Sequence, residues 1–97
     1  KRLSGSITID EGCTKAVLNH GASILPAGII EVDGSFEPGD TVSIIAKGKE
    51  IARGLVNYSS TDLLKIRGHN TQDIARVLEI DTTYDEVVHR NNLVIIH

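Results

Sequence analysis

Hydrophobic positions along this chain come in short runs whose period keeps changing. Ile7-Thr8-Ile9 alternates at period two and predicts a short strand. Asp10 then stands where a helix N-cap is needed, and Glu11 places a second carboxylate at the positive end of that helix. Cys13, Ala16, Val17 and His20 follow at helical spacing, one face of a two- to three-turn helix that Gly21 ends. Ile24 to Val32 predicts the second strand, although Pro26 can sit only at an edge, a bulge or a strand start. The pattern describes a helix end facing an irregular strand edge whose backbone is open to a partner.

Asp33-Gly34 and Pro38-Gly39-Asp40 predict turns on the way to a strand over Thr41 to Ala46, with Val42, Ile44 and Ala46 on one face. Lys47-Gly48-Lys49 reads as a tight hairpin connection, and Glu50 to Tyr58 as the returning strand. Ala52, Gly54, Val56 and Tyr58 line one side of it, and the small members imply that another backbone approaches closely there. Ser59-Ser60-Thr61-Asp62 caps a short helix through Ile66, closed by Gly68. Asn70 caps a third helix with the stripe Ile74, Val77 and Leu78. Glu86 to Arg90 and Leu93 to Ile96 are the last strands, with Asn91-Asn92 between them. Five to six strands with short helices and no regular βαβ alternation predict a mixed α/β fold, mainly β, wrapped as a compact barrel rather than a doubly wound sheet.

A chain of 97 residues makes one domain. With three aromatic residues in all, its core must be aliphatic, built from Ile, Val and Leu. Residues 1–6, polar and containing Gly and Ser, read as a linker remnant, and residues 7–97 as the domain. The absence of methionine and the start at Lys1-Arg2 lead to the expectation that the chain is a piece of something longer. The longest apolar run, Ile24 to Ile30, is far short of the ~20 residues that cross a bilayer, so no membrane is expected and a cytoplasmic location fits best. The formal charge of −3 runs against binding nucleic acid chiefly through phosphates, which favours basic surfaces.

Candidate chemistry is sparse. Neither GxGxxG nor GxxxxGK[ST] occurs, and Lys47-Gly48-Lys49 fits a polar hairpin tip better than a phosphate contact. His20, His69, His89 and His97 are scattered without metal-ligand spacing. Cys13, the only cysteine, falls on the apolar helix stripe and reads as a small buried hydrophobe. Asp10-Glu11 is accounted for by helix capping, and alternation separates Asp85 from Glu86. No catalytic residue, metal site or cofactor is expected in this chain.

Four stretches taken in order carry a resemblance: Ile9-Asp10-Glu11-Gly12, His20 to Ile29, Ile51 to Ser60, and Tyr84 to Leu93. The chain resembles the PUA domain, a small RNA-binding module named after pseudouridine synthases and archaeosine transglycosylases. In detail it is similar to the C-terminal PUA domain of bacterial glutamate 5-kinases. The resemblance covers nearly everything from Gly5 to Ile96 and implies a PUA-like pseudo-barrel. It also implies that Lys15, Asn19, His20, Gly21, Ala22, Ser23, Pro26, Ala27 and Gly28 form a surface for RNA or a protein partner. There, open backbone groups around Gly21 and Gly28 would hydrogen-bond phosphate or sugar. Lys15 is the only permanent cation on that helix and no stacking aromatic stands nearby, so the reading in which the two glycines serve only the chain path is favoured over RNA contact.

By the same resemblance the parent is an ATP- and Mg-dependent kinase that phosphorylates the γ-carboxylate of glutamate in proline biosynthesis, with its active site on residues absent from this chain. This domain would be an accessory that contacts the kinase domain or a neighbouring subunit, or that binds structured RNA weakly. The acidic balance and the missing aromatics favour the protein contact. A stand-alone RNA-binding module of an RNA-modification enzyme is the alternative, since fold alone does not fix function.

Overall fold

The computed structural model describes residues 3–81 and 83–96. Lys1 and Arg2 of the expected linker remnant, and His97 among the histidines, lie outside the described residues. The elements are β1 (Gly5–Ile9), α1 (Glu11–His20), β2 (Ile29–Gly34), β3 (Thr41–Ala46), β4 (Lys49–Leu55), α2 (Ser60–Ile66), α3 (Ile74–Leu78) and β5 (Leu93–Ile95). The strands form one mixed sheet in the order β2-β1-β3-β4-β5. Only β1 and β3 run parallel; the other neighbours are antiparallel.

The first two elements follow the sequence closely. The Asp10 carboxylate accepts from the Cys13 N–H at 2.7 Å, satisfying one of the free amides of the first turn. Gly21 closes α1 at φ 60°, ψ 33°, and its N–H donates to the Ala16 carbonyl. Strand β1 begins at Gly5, ahead of the Ile7-Thr8-Ile9 alternation, because Gly5 and Ser6 pair on both sides, with Gly34 and Asp33 of β2 and with Val42 and Ser43 of β3.

The segment after α1 departs from the expected continuous strand. Residues Pro26–Gly28 form a 3-10 turn, and β2 starts only at Ile29. The fixed φ of proline suits the first position of a helical turn, and it forces Leu25 before it to stay extended. Ile24 keeps one bridge, antiparallel to Val88. That isolation explains a second correction. Glu86 to Arg90 is not a strand, because Ile24 offers a single residue of pairing partner. The chain then turns through a 3-10 element at Arg90–Asn92, where His89 Nδ1 accepts from the Asn91 N–H at 3.0 Å. Similarly β4 stops at Leu55, and Val56 and Asn57 continue by donating to Asp40 and Val87 at 3.0 and 2.8 Å. Asn70 makes no side-chain cap, and a 3-10 turn at Thr71–Asp73 leads into α3.

The inner face carries the core the pattern predicted. Val42, Ile44, Ala46, Ala52, Val56 and Tyr58 are all buried, with Ile7, Ile9, Val17, Ile24, Ile29, Val87 and Val88 around them. Leu63, Ile66 and Ile74 close one end from α2 and α3. The core is aliphatic except for Phe36 and Tyr58, both buried. The close approach expected beside β4 is made at Gly54, where a Cβ would stand 2.6 Å from Val88 Cγ1 and 3.0 Å from the Asn92 carbonyl oxygen. Helix α2 starts on Ser59, whose hydroxyl accepts from the Asp62 N–H at 3.1 Å. It is tied to the β2 side by Arg67, whose guanidinium donates to the Ile30 carbonyl at 2.6 Å.

Candidate functional site

Helix α1 presents two flanks, and the residues implied by the resemblance divide between them. On one flank Gly12, Cys13 and Ala16 face Ala22, Ser23, Leu25, Ala27 and Gly28 across a groove of about 360 Å³, with Asp10 at its end. Gly28 makes the close packing possible: a Cβ there would lie 2.6 Å from Cys13 Cβ, inside van der Waals contact. Four of the expected residues, Ala22, Ser23, Ala27 and Gly28, line this groove. Pro26 is buried and not part of this lining. Asn19, His20 and Gly21 lie exposed at the C-terminal end of α1 and outside its lining.

Lys15 belongs to the other flank. It lies beside Glu11, 3.9 Å from that carboxylate, and faces the β3–β4 hairpin with Ile9, Thr14, Lys47 and Lys49. The helical period turns it roughly 110° around the axis from the mean direction of Gly12, Cys13 and Ala16, which face the 22–28 segment.

The backbone around the two glycines is largely engaged within the domain. The Gly21 and Ala22 amides both reach the Ala16 carbonyl, the Gly28 amide donates to Leu25 at 3.1 Å, and the Gly28 carbonyl accepts from Asp10 at 2.9 Å. Ser23 is also occupied: its hydroxyl accepts from the Arg90 N–H at 2.7 Å. That contact, between residues far apart in sequence, brings exposed Arg90 to the border of the surface. Nothing in the local sequence of either segment signals it.

Electrostatically the groove is small, apolar and faintly acidic. Burial, and then the Asp10 carboxylate, push the Cys13 thiol from 9.0 up to about 11, so it stays protonated and a poor nucleophile at neutral pH. Among the described residues no three His, Cys, Asp or Glu side chains gather as metal ligands, and no helix is long and apolar enough to cross a membrane. Away from α1, Glu50 is gripped by the Arg53 guanidinium through bonds of 3.0 and 3.1 Å and by the Ser43 hydroxyl, which together hold its carboxyl below the ordinary value. Arg53 and Ser43 are its structural partners, and this cluster sits on the sheet rather than in either groove.

Comparison with known proteins gives the same architecture a family. A glutamate 5-kinase from Thermoanaerobacter sp. (strain X514) is 47% identical over 96 residues, 98% of this chain and 26% of that protein. The glutamate 5-kinase of Dictyoglomus turgidum is 53% identical over 92 residues, 94% of the chain and 24% of the relative. The chain therefore spans about a quarter of the length of these relatives. Among solved structures, a PUA domain from Aeropyrum pernix K1, in a tartrate complex, superimposes with TM-score 0.62 at 22% identity, covering 91% of this chain and 44% of that one. A conserved PUA domain protein from Thermoplasma acidophilum gives 0.58 at 23% identity, covering 95% and 47%. The PUA domain family profile matches residues 5–78, and the chain belongs to that family.

Proposed function

We propose that this chain is the C-terminal accessory domain of a glutamate 5-kinase, a cytoplasmic enzyme of proline biosynthesis, and that it works by docking against protein. The partner is the parent's kinase domain or a neighbouring subunit. ATP, Mg and the transfer to the glutamate γ-carboxylate belong to that kinase domain. The identity of about half the residues to glutamate 5-kinases, over nearly the whole chain, supports the parent.

The observation that carries the docking reading is the make-up of the helix–loop groove. Its lining is Ala, Gly, Cys, Ser and Leu with one carboxylate and no cation, and the backbone donors at Gly21, Ala22 and Gly28 are bonded internally. A polyanion needs ammonium or guanidinium groups and free N–H donors. A protein side chain needs a small, apolar, desolvated seat.

Hydrogen exchange tests the proposal: amides of residues 12–28 are compared in the isolated chain and in the full-length kinase. Protection of this segment in the kinase is expected, and Ala27→Arg, at an exposed position, should reverse it without unfolding the domain. Equal exchange in both contexts would sink the docking reading. RNA binding is the second reading. It is favoured by Arg90, which Ser23 draws to the edge of the surface.

A further inference from the structure

The cleft on the other flank of α1 has a different character. Its floor is aliphatic, from Ile9, Ala46 and Ile51, and its rim carries Lys15, Lys47 and Lys49 against the single carboxylate of Glu11. The cleft encloses about 380 Å³, within the range of small-molecule sites. On a chain of net charge −3 this is a local excess of two positive charges.

The lysine side chains are solvated, and two features of their placement bear on what the cleft can hold. Glu11 forms loose ion pairs with Lys15 Nζ at 3.9 Å and Lys47 Nζ at 4.0 Å, which leave donors on both ammoniums open to a further acceptor. Lys47 also occupies the first position of a two-residue hairpin turn at φ 52°, followed by Gly48 at φ 75°. Asn or Gly satisfies that left-handed position, whereas a long side chain there is strained. The turn thus places the Lys47 ammonium beside Glu11, where it and Lys15 stand together at the mouth of the cleft.

We propose that this cleft binds a small organic anion: an apolar body on the Ile9–Ala46–Ile51 floor and a phosphate or carboxylate head between Lys15, Lys47 and Lys49. The head takes charge-assisted hydrogen bonds from the lysines, and the body is desolvated against the floor. The site is separate from the helix–loop groove and does not depend on what that groove docks.

The test is an amide-resolved NMR titration of the chain with phenyl phosphate, phenylacetate and inorganic phosphate. Phenyl phosphate and phenylacetate, run side by side, separate a phosphate head from a carboxylate head. Saturable shifts centred on residues 14–15 and 46–49 with either probe support the site. Burial of the ring should make phenyl phosphate bind about tenfold more tightly than inorganic phosphate. Lys47→Asn removes the charge while suiting the turn, so it should weaken binding at least fivefold and leave the melting temperature unchanged or raised. Lys65→Asn on α2 removes the same charge elsewhere and should leave affinity as it was. Shifts spread over other faces, no saturation with either organic anion, or equal losses for the two lysine variants would overturn the proposal.

Discussion

The phenolic oxygen of Tyr58 donates to the Tyr84 carbonyl at 2.6 Å and accepts from the Tyr84 N–H at 2.9 Å. The two rings meet edge to face, with centroids 6.4 Å apart and planes at 88°. Tyr58 is buried and Tyr84 largely exposed, so one core hydroxyl fastens a stretch of chain that has no strand or helix of its own.

Tyr58→Phe keeps the ring and removes both bonds. The loss should cost about 1–3 kcal/mol, since the Tyr84 amide and carbonyl lose their partner. Denaturant unfolding measures the total, and hydrogen exchange should show faster opening at residues 83–86 than in the sheet. Burial also raises the Tyr58 phenol above 10.0. The neutral form is therefore favoured by folding, and the stability it contributes is complete below pH 10.0 and lost as pH rises through the raised value. Tyr58→Phe should flatten that alkaline decline; an identical decline in both proteins would show that Tyr58 is not its source.

Cys13 makes a second alkaline contribution. Its thiol titrates at about 11 in the folded chain against 9.0 ordinarily, so stability is lost as pH rises from 9.0 through 11. Cys13→Ala should lessen the fall in that window. At pH 8 iodoacetamide should alkylate the folded chain far more slowly than the denatured one, and equal rates would mean that the groove leaves the thiol open.

The two glycines of the helix–loop element should respond differently. At Gly21 nothing lies within 4 Å of an added Cβ, so only the positive φ matters. Gly21→Val should cost about 1 kcal/mol or more and Gly21→Asn less. Gly28 has no such φ, but Gly28→Ala drives a methyl into Cys13 Cβ and should cost about 1–3 kcal/mol. Cys13→Ala should not rescue it, because the clash is with the β-carbon. Rescue would place the conflict at the sulfur instead.

RNA affinity of the chain alone should be weak and salt-sensitive. With about two or three phosphates neutralised, log affinity for single-stranded RNA should fall with log salt at a slope of roughly −1.4 to −2.1. Fluorescence anisotropy across a salt series measures it. Submicromolar binding that persists at physiological salt would put RNA ahead of protein as the partner.

Elements decided by local chemistry were legible in the sequence. The Asp10 cap, the αL glycine at position 21, the Lys47-Gly48 hairpin and the buried face of Val42, Ile44 and Ala46 each depend on residues a few positions apart. The segments at 24–28 and 86–90 were not legible as they fold, because a strand exists only where a partner strand lies beside it. Pro26 limits Ile24 to one bridge, and Val88 inherits the same limit.

The sequence by itself determined helix α1, the glycine that closes it and the scarcity of cations around them. Only the tertiary structure decided which flank each residue faces. Packing β1 between β2 and β3 puts the β3–β4 hairpin beside α1, so Lys15 joins Lys47 and Lys49 rather than the loop that follows its own helix. Arg90 likewise reaches Ser23 only because Val88 bridges Ile24. Helical and strand periods are short-range properties of the chain, whereas these meetings across distant segments follow from strand order and core packing.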